Sequence, residues 1–277
     1  MSPSRVCIPD TEVHPLRAEA IGADLELRIA TPQPAFVPTD EKPRVLYLLD
    51  ANLFFGMAVE CTRLMHRLYG ELPPYLVVGL AYPTEDGRRQ AMLRTRDFTS
   101  VDDPGFAAMQ ASFPLPPGTE PVEPAMGGAD AFLSCLREQV VPFVRERFDV
   151  APEGSAIFGS SMGGLFVTHA LHEAPGLFDA YLAVSPALWW GGAELLDRTA
   201  TVPDGGAPRV WLGAGGLEEA EHIPMLARFR LISNARTLRE RLVADGFPVE
   251  TTTFEEIVGE SHTSVVPVAL TRGLRAL

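Results

Sequence analysis

Ser155-Ala156-Ile157-Phe158-Gly159-Ser160-Ser161-Met162-Gly163-Gly164 joins a short apolar strand, Ala156 to Phe158, to a Gly-x-Ser-x-Gly turn, with helical spacing following over Leu165 to Leu171. A serine at such a strand-to-helix bend projects from a sharp, strained turn, and the flanking glycines remove side chains that would collide across it. The helix start beneath supplies unpaired N–H groups and partial positive charge, which favour an oxyanion. Register chooses between the two serines. Ser161 has Gly159 two residues before it and Gly163 two after, whereas Ser160 has Phe158 and Met162 in those places. Ser161 is therefore the expected nucleophile; the plainer reading is a serine that caps the helix at a tight turn.

Working outward, apolar runs of strand type alternate with longer stretches of helical spacing. Val45 to Leu49, Tyr75 to Leu80, Tyr181 to Val184, Arg209 to Leu212 and Val249 to Ile257 read as strands. Leu53 to Leu68, a segment capped by Asp130, Leu226 to Val243 and Val265 to Leu274 read as helices. Asp24 to Ile29 alternates polar with apolar and suits an antiparallel edge strand. Between about 88 and 128 the periodicity fades and Pro114, Pro116 and Pro117 accumulate; an excursion of that length usually shapes a pocket. The pattern predicts an α/β fold, a mostly parallel sheet with helices on both faces. No linker interrupts it, so 1–277 is expected to form a single domain.

A serine hydroxyl needs a base to take its proton. In sheets carrying such a turn the partners follow in the order serine, acid, histidine. Of six histidines, His14 precedes the sheet, His66 lies in the first crossover helix, His169 and His172 lie in the helix behind the turn, and His222 sits in an acidic loop. His262 alone follows the last strand, in Gly259-Glu260-Ser261-His262, and is the expected base. The acid should follow the strand before it, in Gly213-Ala214-Gly215-Gly216-Leu217-Glu218-Glu219-Ala220-Glu221. Glu218 is first choice because the glycines let the loop curl back directly before it, with Glu219 and Glu221 as competitors. The glycine run lacks the last glycine of a dinucleotide loop, since Glu218 stands there. One oxyanion donor is expected at the Met162 N–H. A second is expected at the Asn52 N–H, in Asp50-Ala51-Asn52 after the first parallel strand, unless Asn52 only caps the next helix.

The 277 residues carry 23 Lys+Arg against 36 Asp+Glu, a net charge of -13. A chain this acidic is a poor non-specific ligand for nucleic acid and offers no polybasic patch to an anionic membrane. Cys7, Cys61 and Cys135 are odd in number and far apart, which fits a reducing compartment and no disulfide framework. Met1 to Arg17 is polar and proline-broken, without the pattern of a secretory leader. A cytoplasmic, soluble protein is expected. Neither a His-Glu-x-x-His helix nor a Walker loop is present, so no metal or organic cofactor is implied.

The chain resembles the α/β-hydrolases of the putative-esterase group that contains the trilactone siderophore esterases. The resemblance is carried by Tyr47-Leu48-Leu49-Asp50, Val78-Gly79-Leu80-Ala81-Tyr82-Pro83, Gly159 to Gly164, Ser185-Pro186-Ala187-Leu188-Trp189-Trp190 and Gly259-Glu260-Ser261-His262. Arg94-Thr95-Arg96-Asp97-Phe98-Thr99 also looks like the family's arginine-bearing stretch. Ala51 departs from the pattern, standing where glycine is usual. The resemblance implies hydrolysis of a small-molecule ester through Ser161 and His262, with a catecholate macrolactone or its iron complex as substrate in the siderophore branch. Arg94 or Arg96 is expected to meet an anionic substrate group, or else to form a surface ion pair with Asp97 or Asp102. Trp189 and Trp190 would wall an aromatic acyl pocket or simply pack their loop. Acyl transfer or thioester hydrolysis would use the same machinery, and a non-catalytic binding protein could keep the fold. Oligomeric state is not legible in the sequence.

Overall fold

A computed structural model describes residues 6–36, 38–112 and 125–277. Eight strands form one sheet. They are β1 (Thr11–Ala18), β2 (Ala23–Ala30), β3 (Arg44–Leu48), β4 (Tyr75–Ala81), β5 (Ala156–Ser160), β6 (Ala180–Val184), β7 (Arg209–Gly215) and β8 (Thr252–Ile257), in the order β1-β2-β4-β3-β5-β6-β7-β8. β3 to β8 run parallel, whereas β1 pairs antiparallel with β2, and β2 with β4.

Alternation along each parallel strand divides the core in two. Val45, Tyr47, Val78, Ile157, Tyr181, Val210 and Leu212 face one side. There they pack against α4 (Ala129–Cys135), α6 (Met162–Glu173) and α9 (Leu231–Ala244). Leu46, Leu48, Val77, Phe158, Leu182 and Trp211 face the other, under α1 (Ala51–Arg67) and α10 (Val265–Arg275). This is the doubly covered, mostly parallel sheet that the sequence predicts, with β3 to β7 buried on both faces.

Four expectations need correction. The strand over Asp24 to Ile29 is antiparallel but interior, because β1 lies outside it. Pro15 within β1 is tolerated there since an edge strand leaves one row of N–H positions unpaired. The excursion holds two helices, α2 (Gly87–Phe98) and α3 (Pro104–Ala111), capped by the Asp86 and Asp103 side chains. Pro114, Pro116 and Pro117 lie outside the described residues. Asp130 is in the first turn of α4, with Gly128 as cap. From α4 the helix runs through a π turn at Leu136–Val140 into α5 (Val141–Arg147), where Pro142 removes a backbone donor. The stretch Leu226 to Val243 breaks into α8 (Pro224–Ala227) and α9 because Arg230 is left-handed, at φ 51. Between β6 and β7 lies α7 (Trp190–Asp197). The three cysteines are unpaired. No helix among the described residues is long and apolar enough to cross a membrane.

Candidate active site

The carboxyl ends of β3 to β8 share one edge, so the loops that follow these strands converge there. Ser161 comes directly after β5 with φ 58 and ψ −115, a conformation that a side chain adopts only under strain. Its N–H donates to the Val184 carbonyl at 2.8 Å, and its own carbonyl accepts from Leu165 and Ala187 at 2.9 and 3.0 Å. The flanking glycines are sterically required: a Cβ on Gly159 would lie 2.3 Å from the Gly163 carbonyl oxygen. Ser161 stands at the cap position of α6 but makes no side-chain cap bond, so its hydroxyl is not committed to the helix.

The loop after β8 turns at Gly259, where φ is 81, and packs on the loop after β7. Leu217 N–H donates to the Glu260 carbonyl at 3.0 Å, and a Cβ on Gly215 would sit 2.5 Å from that same oxygen. Bare glycine backbone thus lets the two loops touch. The contact brings His262 Nδ1 to 2.8 Å from Glu218 Oε1. Glu218 is fully buried, with 0% exposure. The competing glutamates are elsewhere: Glu219 accepts from the Ser233 N–H and hydroxyl at 2.7 and 2.6 Å, and Glu221 is exposed. Among the described residues no hydrogen bond joins the Ser161 hydroxyl to His262, whose bonded partner is Glu218. Three of the other histidines are engaged away from Ser161. His66 Nδ1 lies 3.2 Å from the Leu72 carbonyl, His172 Nδ1 2.9 Å from that of Thr168, and His169 2.9 Å from Asp130.

After β3 the chain turns at Asp50, left-handed at φ 53, and enters α1. The Asp50 carbonyl accepts from the Leu53 and Phe54 N–H groups at 2.8 and 3.1 Å. Asn52 does not cap α1. Its side chain clips the end of β4 instead, donating to the Tyr82 carbonyl at 3.0 Å and accepting from the Tyr82 N–H at 2.8 Å. Ala51 fits because Gly79 opposite has no side chain; a Cβ there would lie 2.7 Å from the Ala51 methyl.

Arg94 and Arg96 each hold a carboxylate of the chain itself. Arg94 grips the buried Asp50 carboxylate with Nε to Oδ1 and Nη2 to Oδ2, each at 2.8 Å. Burial works against the charge of Arg94, but Asp50 outweighs it and the pKa is raised. Arg96 pairs with Asp97 at 2.6 Å, so the ion-pair alternative holds for it, although Asp97 itself has 0% exposure. Burial pushes the Asp97 carboxyl up despite Arg96 and the Tyr82 hydroxyl, which donates to it at 3.0 Å. Of the two expectations for Trp190, packing is the one its burial matches. It is a core residue at 1% exposure, with its Nε1–H donating to the Val101 carbonyl at 2.8 Å. Trp189 is half-buried and stacks on Phe229 with centroids 4.4 Å apart. Phe229 and Phe106, which also rings Trp190 at 4.7 Å, are aromatic members that the sequence reading passed over. No group of three or more His, Cys, Asp or Glu among the described residues is arranged to hold a metal.

A doubly covered parallel sheet with a serine on a left-handed strand-to-helix turn is the α/β-hydrolase arrangement. Siderophore hydrolase EstB from Aspergillus nidulans has the same fold, with a TM-score of 0.78 at 28% identity over 99% of this chain and 96% of that one. Residues 18–275 match the family described as Putative esterase. The chain belongs to that family and is a carboxylic-ester hydrolase. It is 32% identical over 279 residues to ferri-bacillibactin esterase BesA of Bacillus subtilis (strain 168), covering 97% of this chain and 89% of that one. It is 31% identical over 255 residues to the siderophore enterobactin esterase of Emericella nidulans, covering 84% and 81%.

Proposed function

We propose that the protein hydrolyses siderophore-type or aryl esters through an acyl-enzyme on Ser161, with His262 as base and Glu218 as its acid partner. His262 Nε2 takes the Ser161 proton as the oxygen attacks the ester carbonyl. The N–H groups of Met162 and Asn52 receive the tetrahedral oxyanion. Collapse expels the alcohol with a proton from His262, and water repeats the sequence on the acyl-enzyme. Buried Glu218 holds the imidazole by Nδ1 and offsets the imidazolium charge. Half-buried Trp189 offers a stacking face to an aromatic acyl group. The substrate class rests on the names of BesA and the Emericella esterase. A cytoplasmic setting agrees with the three free thiols.

The observation that carries this reading is the 2.8 Å contact of a wholly buried carboxylate with a histidine on the sheet edge that also bears left-handed Ser161. The test is turnover of p-nitrophenyl acetate and of a cyclic trilactone, with and without iron, by the wild-type chain, Ser161→Ala, His262→Ala and Ser160→Ala. The first two substitutions are expected to lower kcat by about 10⁶-fold, and Ser160→Ala to retain activity. Turnover persisting in Ser161→Ala would overturn the mechanism. Acetate turnover with the trilactone ignored would overturn the siderophore assignment alone.

A further inference from the structure

Asp50 occupies the position from which an aspartate ordinarily caps a helix by accepting from its first N–H groups. It makes no such bond. Both carboxylate oxygens are instead taken by Arg94, at 2.8 Å each. The carboxylate is lodged between two helix starts. A Cβ on Gly163, in the first turn of α6, would be 3.2 Å from Asp50 Oδ2, and Asp50 itself leads into α1. Arg94 Nη2 also reaches the Ser160 carbonyl at 3.4 Å, so one guanidinium ties the turn after β3 to the turn after β5. These helix starts carry the N–H donors that serve the oxyanion.

We propose that Arg94 is a positioning residue that withholds the Asp50 carboxylate from the Asn52 N–H at the start of α1 and neutralises it, leaving that donor free for the oxyanion. The inference rests on the serine-esterase reading of this site. Without Arg94, an aspartate at a helix start would turn onto the nearest N–H groups, fill the oxyanion site with an acceptor, and set a negative charge where another must develop. Arg94 thus serves catalysis without touching the substrate. The fork is needed because two parallel contacts fix the plane of the carboxylate, which a point charge does not.

The test compares Arg94→Gln with the double variant Arg94→Gln/Asp50→Gly, in which the competing acceptor is gone and glycine suits the left-handed backbone. Arg94→Gln is expected to lower kcat for p-nitrophenyl acetate by about 10²-fold, the effect of one oxyanion donor, with KM nearly unchanged. Binding of a trifluoromethyl ketone, which forms a tetrahedral adduct, should weaken by the same factor. The double variant should regain most of the lost kcat. A kcat in Arg94→Gln equal to wild type, or a double variant no faster than the single, would overturn the proposal. Should Arg94→Gln fail to fold, Arg94→Lys takes its place, with a smaller kcat loss expected, and the double variant is compared with it in the same way. Ser161→Ala run beside them separates the two claims. Turnover surviving in Ser161→Ala strikes the esterase mechanism, whereas a dead Ser161→Ala with unimpaired Arg94 variants strikes only the role of Arg94.

Discussion

Replacing Glu218 with glutamine changes one oxygen for an amide nitrogen at nearly constant volume, yet it should disable the enzyme. Two unit charges at the 2.8 Å separation of Glu218 Oε1 and His262 Nδ1 interact by about 6 kcal/mol at an effective dielectric of about 20. In the proposed mechanism the imidazole Nδ1–H donates only a hydrogen bond to the carboxylate before proton transfer. In that mechanism the full interaction would appear only when His262 becomes an imidazolium in the transition state, so its loss should fall mainly on kcat. At 1.36 kcal/mol per decade, 6 kcal/mol corresponds to roughly 10⁴-fold. Glutamine also presents an amide that can hold the wrong tautomer. The assay is steady-state hydrolysis of p-nitrophenyl acetate, with far-UV circular dichroism to show that the variant folds. Glu219→Gln is the control, since its carboxylate bonds Ser233 at 2.7 and 2.6 Å and should affect stability more than kcat. A folded Glu218→Gln enzyme within tenfold of wild-type kcat, or a 10⁴-fold loss in Glu219→Gln instead, would refute this assignment.

Gly79→Ala should place a methyl 2.7 Å from the Ala51 Cβ and 2.9 Å from the Phe55 ring; such overpacking costs roughly 1–3 kcal/mol. Thermal unfolding is expected at lower temperature, with partial recovery in Gly79→Ala/Ala51→Gly. No recovery would show that the clash with Phe55, and not the one with Ala51, sets the cost. His169 is buried and its pKa is lowered by burial, against the raising influence of Asp130. Below the unfolded value of about 6.5 the unfolded chain takes up a proton that the folded chain resists. This contribution is therefore present above that pH and lost as pH falls through the lowered folded value. The urea midpoint should drop between pH 7 and pH 5, and His169→Gln should flatten the drop; an unchanged slope in the variant would assign it to other groups.

The parts of the fold that the sequence announces are those stabilised by apolar burial. β3 to β7 are buried on both faces and read as apolar runs, and the Ser161 turn is announced by Gly159, whose replacement would collide with backbone. What stayed hidden is stabilised by pairing or by charge. β1 is largely exposed, carries Pro15, and is defined by its register with β2. α2 buries Thr95, Asp97 and Phe98 instead of an apolar stripe, so its arginines read as surface groups free to meet a substrate. Their carboxylate partners follow from tertiary packing, since Asp50 lies 44 positions from Arg94. Trp189 and Trp190 are adjacent in sequence, and the left-handed turn at Gly191 to Ala193 accompanies their split between rim and core. Glu218 was separable from its neighbours only by the curl of the glycine loop. Glu218 N–H donates back to the Gly215 carbonyl at 3.0 Å.

Among the described residues, six non-glycines have positive φ, and three of them lie just past the carboxyl ends of parallel strands: Ser161 and Ser185 directly follow β5 and β6, and Asp50 comes two residues after β3. Each such conformation costs roughly 1–2 kcal/mol, together a sizeable part of a typical folding stability of about 5–15 kcal/mol. The bonds around them explain why the backbone does not relax. Ser161 N–H is held by the Val184 carbonyl, Ser185 N–H by that of Gly213 at 2.7 Å, and Asp50 by the Arg94 fork. These anchors come from neighbouring strands and a helix inserted after β4, so no single turn can unwind without breaking pairing beside it. A relaxed turn after β5 would swing Ser161 toward capping α6, and a relaxed Asp50 would cap α1. In both cases the strained geometry keeps a side chain from capping its own helix.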